Sequence, residues 1–386
     1  MRRAVIVDIL RSPFTKGREG GALAHMHPVD LYAHVLRALV DRTGVDPGLI
    51  EDVITGCVIQ VGEQAANIGR QAVLAAGLPE TIPALTLDRK CGSAQQALDF
   101  AAQGVIAGAY DVVIAGGVEM MSRVSMKSNR MGKDNLGPMF HGRYPKGLVH
   151  QGISAELIAA RWQLGREEMD AFAARSHARA DAARARIGRD VVAVDGVADD
   201  EGIRPGTNVE KLGTLRNAFE DEAMAGRFPK IRWSVSAGNS SQVTDGAGAA
   251  LIMEEKVAEK LGLTPRVAVT GFAVVGDDPV MMLTGPIPAT ARLLTRQGLK
   301  IDAIDAFEIN EAFASVVLAW QAETGADPDR VNRYGGAIAL GHPVGASGMR
   351  LTANLIAALE ETGGRYGLQS MCESGGMANA TLLERI

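Results

Sequence analysis

Four side chains stand where their chemistry would be useful. Cys91, in "DRKCGSAQQAL", follows a short apolar run (Ala84–Asp88) and precedes an Ala-rich stretch (Ser93–Ala107). That order places the thiol at a helix N-terminus. Unpaired N–H groups and the positive end of the helix dipole there favour thiolate, so a pKa below the free-thiol value of about 8.5 is expected. Small neighbours, Gly92, Ser93 and Ala94, leave room for a substrate. The other use of a cysteine after a strand is as a core residue. His342, in "YGGAIALGHPVGASGMR" (Tyr334–Arg350), lies between Gly341 and Pro343 in a Gly-rich loop. A histidine there can move protons or simply sit exposed on a turn. The loop lacks the lysine of a phosphate loop, and its glycines are mis-spaced for a dinucleotide fingerprint. Cys372, in "SMCESGGMANA", ends an apolar run before Gly375 and Gly376. It could act as an acid or base beside the backbone N–H groups of that turn, or fill the core. Asn310 and Glu311, in "FEINEAFAS", end another apolar run, where α/β sites gather. Asn310 could donate a hydrogen bond, hold a water or cap a helix.

The elements that must position these residues alternate in type. Val5–Ile9, Asp52–Val58, Ala84–Asp88 and Asp111–Ala115 read as buried strands, and Leu31–Thr43, Ile68–Ala76 and Ser93–Ala107 as helices. The class is α/β with mostly buried sheets. The order recurs in the C-terminal third. Leu49–Val58 resembles Ala303–Ala312, each an acidic entry, a buried strand and a polar turn. Asp111–Met120 resembles Gly367–Met377, each a strand followed by a Gly-Gly turn. A Gly-containing loop feeding an Ala-rich helix precedes each, at Cys91–Ala107 and Gly341–Leu359. This is an internal duplication, and two packed halves leave a site between them. Between them lies a different region, about 118–243, which opens with the polar, Met-rich "MMSRVSMKSNRMGKDNLGP" and continues with a charged helical stretch, Arg166–Arg186. It reads as an insertion from the first half, and long insertions usually serve function. The expected division is 1–262 with the insertion, then 263–386.

Bulk properties narrow the function. A chain of 386 residues, 47% apolar and 22% charged, is an ordinary globular protein of more than one domain-sized unit. A net charge of -5 gives no reason to expect nucleic acid or anionic membrane as a partner. The three cysteines, Cys57, Cys91 and Cys372, argue against a disulfide framework and for a reducing compartment. "MRRAVIVD" reads as a first strand, no run reaches the roughly 18 apolar residues of a membrane span, and "LERI" matches no address signal. The cytoplasm is the expected location.

In combination these motifs resemble the thiolase family, over essentially the whole chain. "CGS" at a helix start, "NEAFA", "GGAIALGHPVGASG" and a C-terminal "CESGG" occur in the family's order, and Gly62–Pro79 and Ser236–Ile252 also look like thiolase segments. The resemblance implies two duplicated α/β halves in a layered αβαβα arrangement with an inserted loop domain. It implies an acyltransferase that cleaves 3-ketoacyl-CoA with coenzyme A, or runs the reverse Claisen condensation. No bound cofactor is implied, with coenzyme A as a substrate. Cys91 would carry the acyl group, His342 would activate it, Asn310 would orient a water, and Cys372 would move the α-proton. The N–H groups of Cys91 and Ser374 would form an oxyanion hole. The insertion would bind coenzyme A, with Ser241 on the pantetheine arm, Arg204 near the adenine, and His150, Gln151 and Phe313 lining the pocket. Partners would be acyl-CoA, CoA and further copies of the chain in a homodimer or homotetramer, with the loop in 118–145 joining dimers.

Three departures from the family pattern stand out. Ala94 replaces the usual glycine beside the nucleophile. Ser374 stands where the C-terminal motif usually has glycine, and it is strained if the loop needs a positive φ there. Gln151 stands where short-chain biosynthetic members tend to carry Met, which points to a larger or more polar acyl group. Two alternatives remain at this stage. One is a decarboxylating condensing enzyme of the same superfold, against which Cys372 argues. The other is a non-catalytic acyl-CoA-binding relative, against which all four site residues argue.

Overall fold

The computed structural model describes residues 2–386. Ten strands form the sheet framework: β1 (Ala4–Arg11), β2 (Thr15–Lys16), β3 (Asp52–Gly56), β4 (Ala84–Leu87), β5 (Val112–Met120), β6 (Thr244–Glu254), β7 (Val267–Gly276), β8 (Ala306–Ile309), β9 (Tyr366–Glu373) and β10 (Met377–Arg385). Their order is β4-β3-β5-β6-β1-β7-β10-β9-β8, with β2 beside β6. That order is nearly a palindrome. In the first half β3 runs parallel to β5, while β5–β6 and β6–β1 are antiparallel. In the second, β8 runs parallel to β9, while β9–β10 and β10–β7 are antiparallel. The halves meet where β1 and β7 pair around Val5–Ala268 and Ile6–Val267.

The repeat holds residue by residue. Overlaying Leu49–Val58 on Ala303–Ala312 carries Asp52 onto Ala306. Their parallel partners are Val113 and Gly367, so the same spacing relates both strand pairs. It also carries Ser93 onto Ser347, the first residues of the two long helices Ser93–Ala107 and Ser347–Thr362. The second half has no counterpart of β4. A single bridge from Phe307 to Val331 stands there, and the amide of Asn332 bonds both the N–H and the C=O of Ile309 at 2.9 Å. One feature of the expected repeat differs. Gly116 and Gly117 lie inside β5, not in a turn after it. A Cβ at Gly117 would strike Gly345 and Ala94, and one at Gly116 would strike the Tyr32 hydroxyl and Gly248 C=O.

Three cores separate the layers. Helix Pro28–Thr43, started by Pro28 and stopped by Gly44 at φ 65, packs with Ile68–Ala75 on the outside of the first half. Helices Pro286–Gln297 and Ala314–Thr324 cover the outside of the second. The two long helices pack together between the halves. Both are rich in small residues, and every residue from Ser347 to Leu359 is buried. This is the expected αβαβα stack, and it brings the N-termini of the two central helices together.

The segment between β5 and β6 crosses to the other half. Its helices Gln151–Trp162 and Arg166–Ala182 bury Ala155, Ile158, Met169 and Phe172 against Phe307, Phe313 and Trp320. Ser315 Oγ bonds Ala155 C=O at 3.0 Å, and Ser176 Oγ bonds Glu311 at 2.6 Å. No described helix is long and apolar enough to cross a membrane.

Candidate active site

The site forms where the two central helices begin. Glycines permit the contact. A Cβ at Gly348 would strike the backbone of Gln95, and one at Gly56 would lie 2.5 Å from Ala94 N. Ala94 itself is fully buried, and its methyl group is accommodated because Gly117 opposite has no side chain.

Cys91 sits in the tight turn entering its helix, next to Lys90, which adopts φ 50. It is half-buried and packs against an apolar patch of Val58, Ile59, Met121, Val124 and Val344. Cys57 and Cys372 are fully buried. The expected low thiol pKa is corrected. The thiol is pushed up to about 12, first by burial and next by the charge that Glu373 carries once ionised. The helix-start N–H groups do not offset this, because Gly92 N–H donates to Arg89 C=O at 3.1 Å and Ser93 N–H to Lys90 C=O at 3.0 Å. Such a thiol needs a base.

The sequence offers His342, on the loop whose Val344 lines the same patch. Its ring is buried, and burial with the nearby Arg350 charge lowers its pKa to about 3, so it is a neutral imidazole at ordinary pH. Its tautomer follows from its partners. Ser347 Oγ donates to Pro343 C=O at 2.8 Å, so at 2.6 Å it accepts from Nδ1–H. Nε2 is left with its lone pair, facing the Asn310 amide at 3.4 Å. The backbone of His342 is fixed by Thr244 Oγ1 (3.0 Å) and Gln242 C=O (3.2 Å). Asn310 caps no helix, since Phe313 precedes Ala314–Thr324. Its Oδ1 is buried without a protein partner, as an acceptor waiting for water or ligand would be. Glu311 is structural: it takes bonds from Ser176, Asn332 and Ile338.

Cys372 lies near the end of β9 opposite Ala378, close enough to Cys91 that a thiolate there raises its pKa. Burial pushes its pKa well up. In the following turn the positive φ angles fall on Gly375 (99) and Gly376 (78) and not on Ser374, so the feared strain at Ser374 is absent.

The outer residues take varied places. Ser241 N–H bonds Ala312 C=O at 2.9 Å, joining the end of the insertion to the loop carrying Asn310. Phe313 is buried and meets Phe219 edge-on at 5.9 Å; Phe219 in turn lies 5.5 Å from the His150 ring. His150 caps its helix through Nδ1 to Gly152 N–H, placing Gln151 at the first turn. Arg204 is exposed beside Gln242, at 3.5 Å. Among the described residues no group of His, Cys, Asp or Glu could hold a metal ion. Sequence reading missed Gln242, Thr244, Ser347, Phe219 and Glu119. Ser347 and Glu119 had a readable signal, their alignment with Ser93 and Glu373 in the repeat.

Paired thiols, a neutral imidazole whose Nε2 lone pair faces the Asn310 amide and an unpartnered amide oxygen define an acyl-transfer centre. Known proteins agree. The thiolase N-terminal domain family matches residues 4–256 and the thiolase C-terminal domain family matches 263–385. The chain belongs to the thiolase family and is an acyltransferase. It is 44% identical to the steroid 3-ketoacyl-CoA thiolase FadA6 of Mycobacterium tuberculosis, covering 100% of this chain and 95% of that protein. It is 40% identical to 3-ketoacyl-CoA thiolases of Pseudoalteromonas translucida and Vibrio vulnificus, with 100% of each chain covered.

Proposed function

We propose that the chain cleaves 3-ketoacyl-CoA with free CoA, with Cys91 as the acyl carrier and Cys372 as the proton carrier. The observation that carries this reading is that Cys91, which raises the pKa of the buried Cys372, packs against a patch that includes Val344 on the loop of the neutral His342. His342 Nε2 takes the Cys91 proton, and the sulfur attacks the 3-keto carbon. The C2–C3 bond then breaks, leaving an acyl thioester on Cys91 and an acetyl-CoA enolate. Cys372 gives its proton to that enolate and takes one from incoming CoA; the CoA thiolate attacks the thioester carbonyl, the Cys91 S–C bond breaks to release acyl-CoA, and His342 returns its proton to Cys91. Asn310 holds a water, and the N–H groups of Cys91 and Ser374 receive developing negative charge.

The insertion binds CoA, with Ser241 at the pantetheine arm and Arg204 toward the nucleotide. The line His150–Phe219–Phe313, with Gln151, walls the acyl side. It suits an acyl group larger than acetyl, in keeping with the steroid substrate named for one relative. The enzyme acts in the cytoplasm as a homodimer or homotetramer. Exposed Met126, Met131, Leu136 and Met139 on the loop after β5 support self-association. The test is CoA-dependent loss of acetoacetyl-CoA, longer 3-ketoacyl-CoAs and a ring-bearing one. Cleavage of at least one, absent without CoA, is expected. Activity confined to decarboxylation, or cleavage of none, overturns the reading.

A further inference from the structure

Glu373, the last residue of β9, follows Cys372 directly and is fully buried. Neither of its carboxyl oxygens has a hydrogen-bond partner. They fill the space where a side chain at Gly92 would be, so the carboxyl group lies against the residue next to Cys91. The repeat supplies a control. The spacing that carries Val113 onto Gly367 carries Glu119 onto Glu373. Glu119 receives Val58 N–H at 2.8 Å, Ile59 N–H at 3.2 Å and Gln64 Nε2 at 2.6 Å. Burial raises Glu119 too, to about 7, but its donors work against that rise; Glu373 has no donor to oppose its neutral form.

We propose that Glu373 is kept as an uncharged carboxylic acid beside Cys91 and Cys372, and that its ionisation limits thiolate formation at Cys91 on the alkaline side. The groups facing it fit. Arg89 in the loop after β4 favours its charged form, whereas Asp99 of the central helix and Asp88 oppose it. Burial dominates and raises its pKa to about 8, and its charge raises that of both thiols. Below that range the site holds no carboxylate beside the nucleophile. Above it, a negative charge stands against the thiolate that His342 must generate. Glu373 is a positioning residue for charge, and this role in turnover rests on Cys91 being the nucleophile.

The test is the rate of Cys91 alkylation by iodoacetamide against pH, followed by peptide mapping, in the full chain and in Glu373→Gln. The two should agree within about twofold near pH 6.5, and the variant should be faster by on the order of tenfold near pH 9.5. The unsubstituted protein should itself show a shoulder near pH 8, which decides the matter if the variant does not fold. A constant ratio at all pH, or a rise of uniform slope without a shoulder, overturns the proposal. Alkylation does not depend on catalysis. A shifted alkylation profile together with full thiolysis in Cys91→Ala would therefore overturn the nucleophile assignment and leave the Glu373 proposal standing.

Discussion

Glu119, next to last in β5, and Glu373, last in β9, stand at matching positions of the two halves, yet their surroundings differ. Glu119 ties the loop after β3 to its own strand and lies against Gly345 of the His342 loop, where a Cβ would come within 2.6 Å of it. Glu373 ties nothing. The helix starts beside them differ in the same sense. Ser93 Oγ bonds only its own turn, at Lys90 C=O (2.6 Å) and Arg89 N–H (2.9 Å), whereas Ser347 Oγ also receives the His342 ring. One duplicated frame thus places Cys91 just before one central helix and His342 just before the other. A buried polar group with all its bonds made supports structure; one left unmatched marks a place where chemistry changes charge.

The contrast can be broken at Ser347 first. Ser347→Ala removes the partner of Nδ1 and frees the imidazole to rotate and change tautomer. Turnover should fall by about 100-fold, within the range of general acid–base catalysis, with thermal stability nearly kept. Steady-state kinetics would check this, and Ser347→Thr should restore most of the rate.

The two acids should separate in stability. In Glu119→Gln an amide faces the donors of Gln64 and Val58, so unfolding free energy should drop by about 2 kcal/mol. Glu373→Gln meets no donor and should be close to neutral in acid. Its pKa is raised from 4.5 to about 8, so Glu373 contributes stability that is complete below about 4.5 and lost as pH rises through 8. The unsubstituted chain should therefore lose stability relative to Glu373→Gln across that window, by up to about 1.4 kcal/mol per pH unit. Denaturant titrations at several pH values would show this. Equal losses in the two variants would mean that the strand ends are not different in kind.

Much of the fold was legible. Alternating buried runs and Ala-rich stretches gave the α/β class, and paired segments such as Leu49–Val58 and Ala303–Ala312 exposed the duplication that the register then made exact to the residue. The β4 counterpart could not be read as missing, because Asn332 replaces a strand with one side chain. The candidate residues were legible through motif order, but their electrostatics were not. Position at a helix start suggested an activated thiol at Cys91. Only the folded chain reveals that the neighbouring N–H groups are occupied and that Glu373 lies opposite. Glu373 itself stood in the sequence as one letter of a turn motif, since burial without a partner is a property of three dimensions.

The most direct test of the two-thiol account is a trap. Cys372→Ser, mixed with 3-ketoacyl-CoA and digested, should yield the peptide containing Cys91 carrying the shortened acyl group, while multiple turnover falls by orders of magnitude. An acyl group found elsewhere, or thiolysis continuing at the unsubstituted rate, would contradict it.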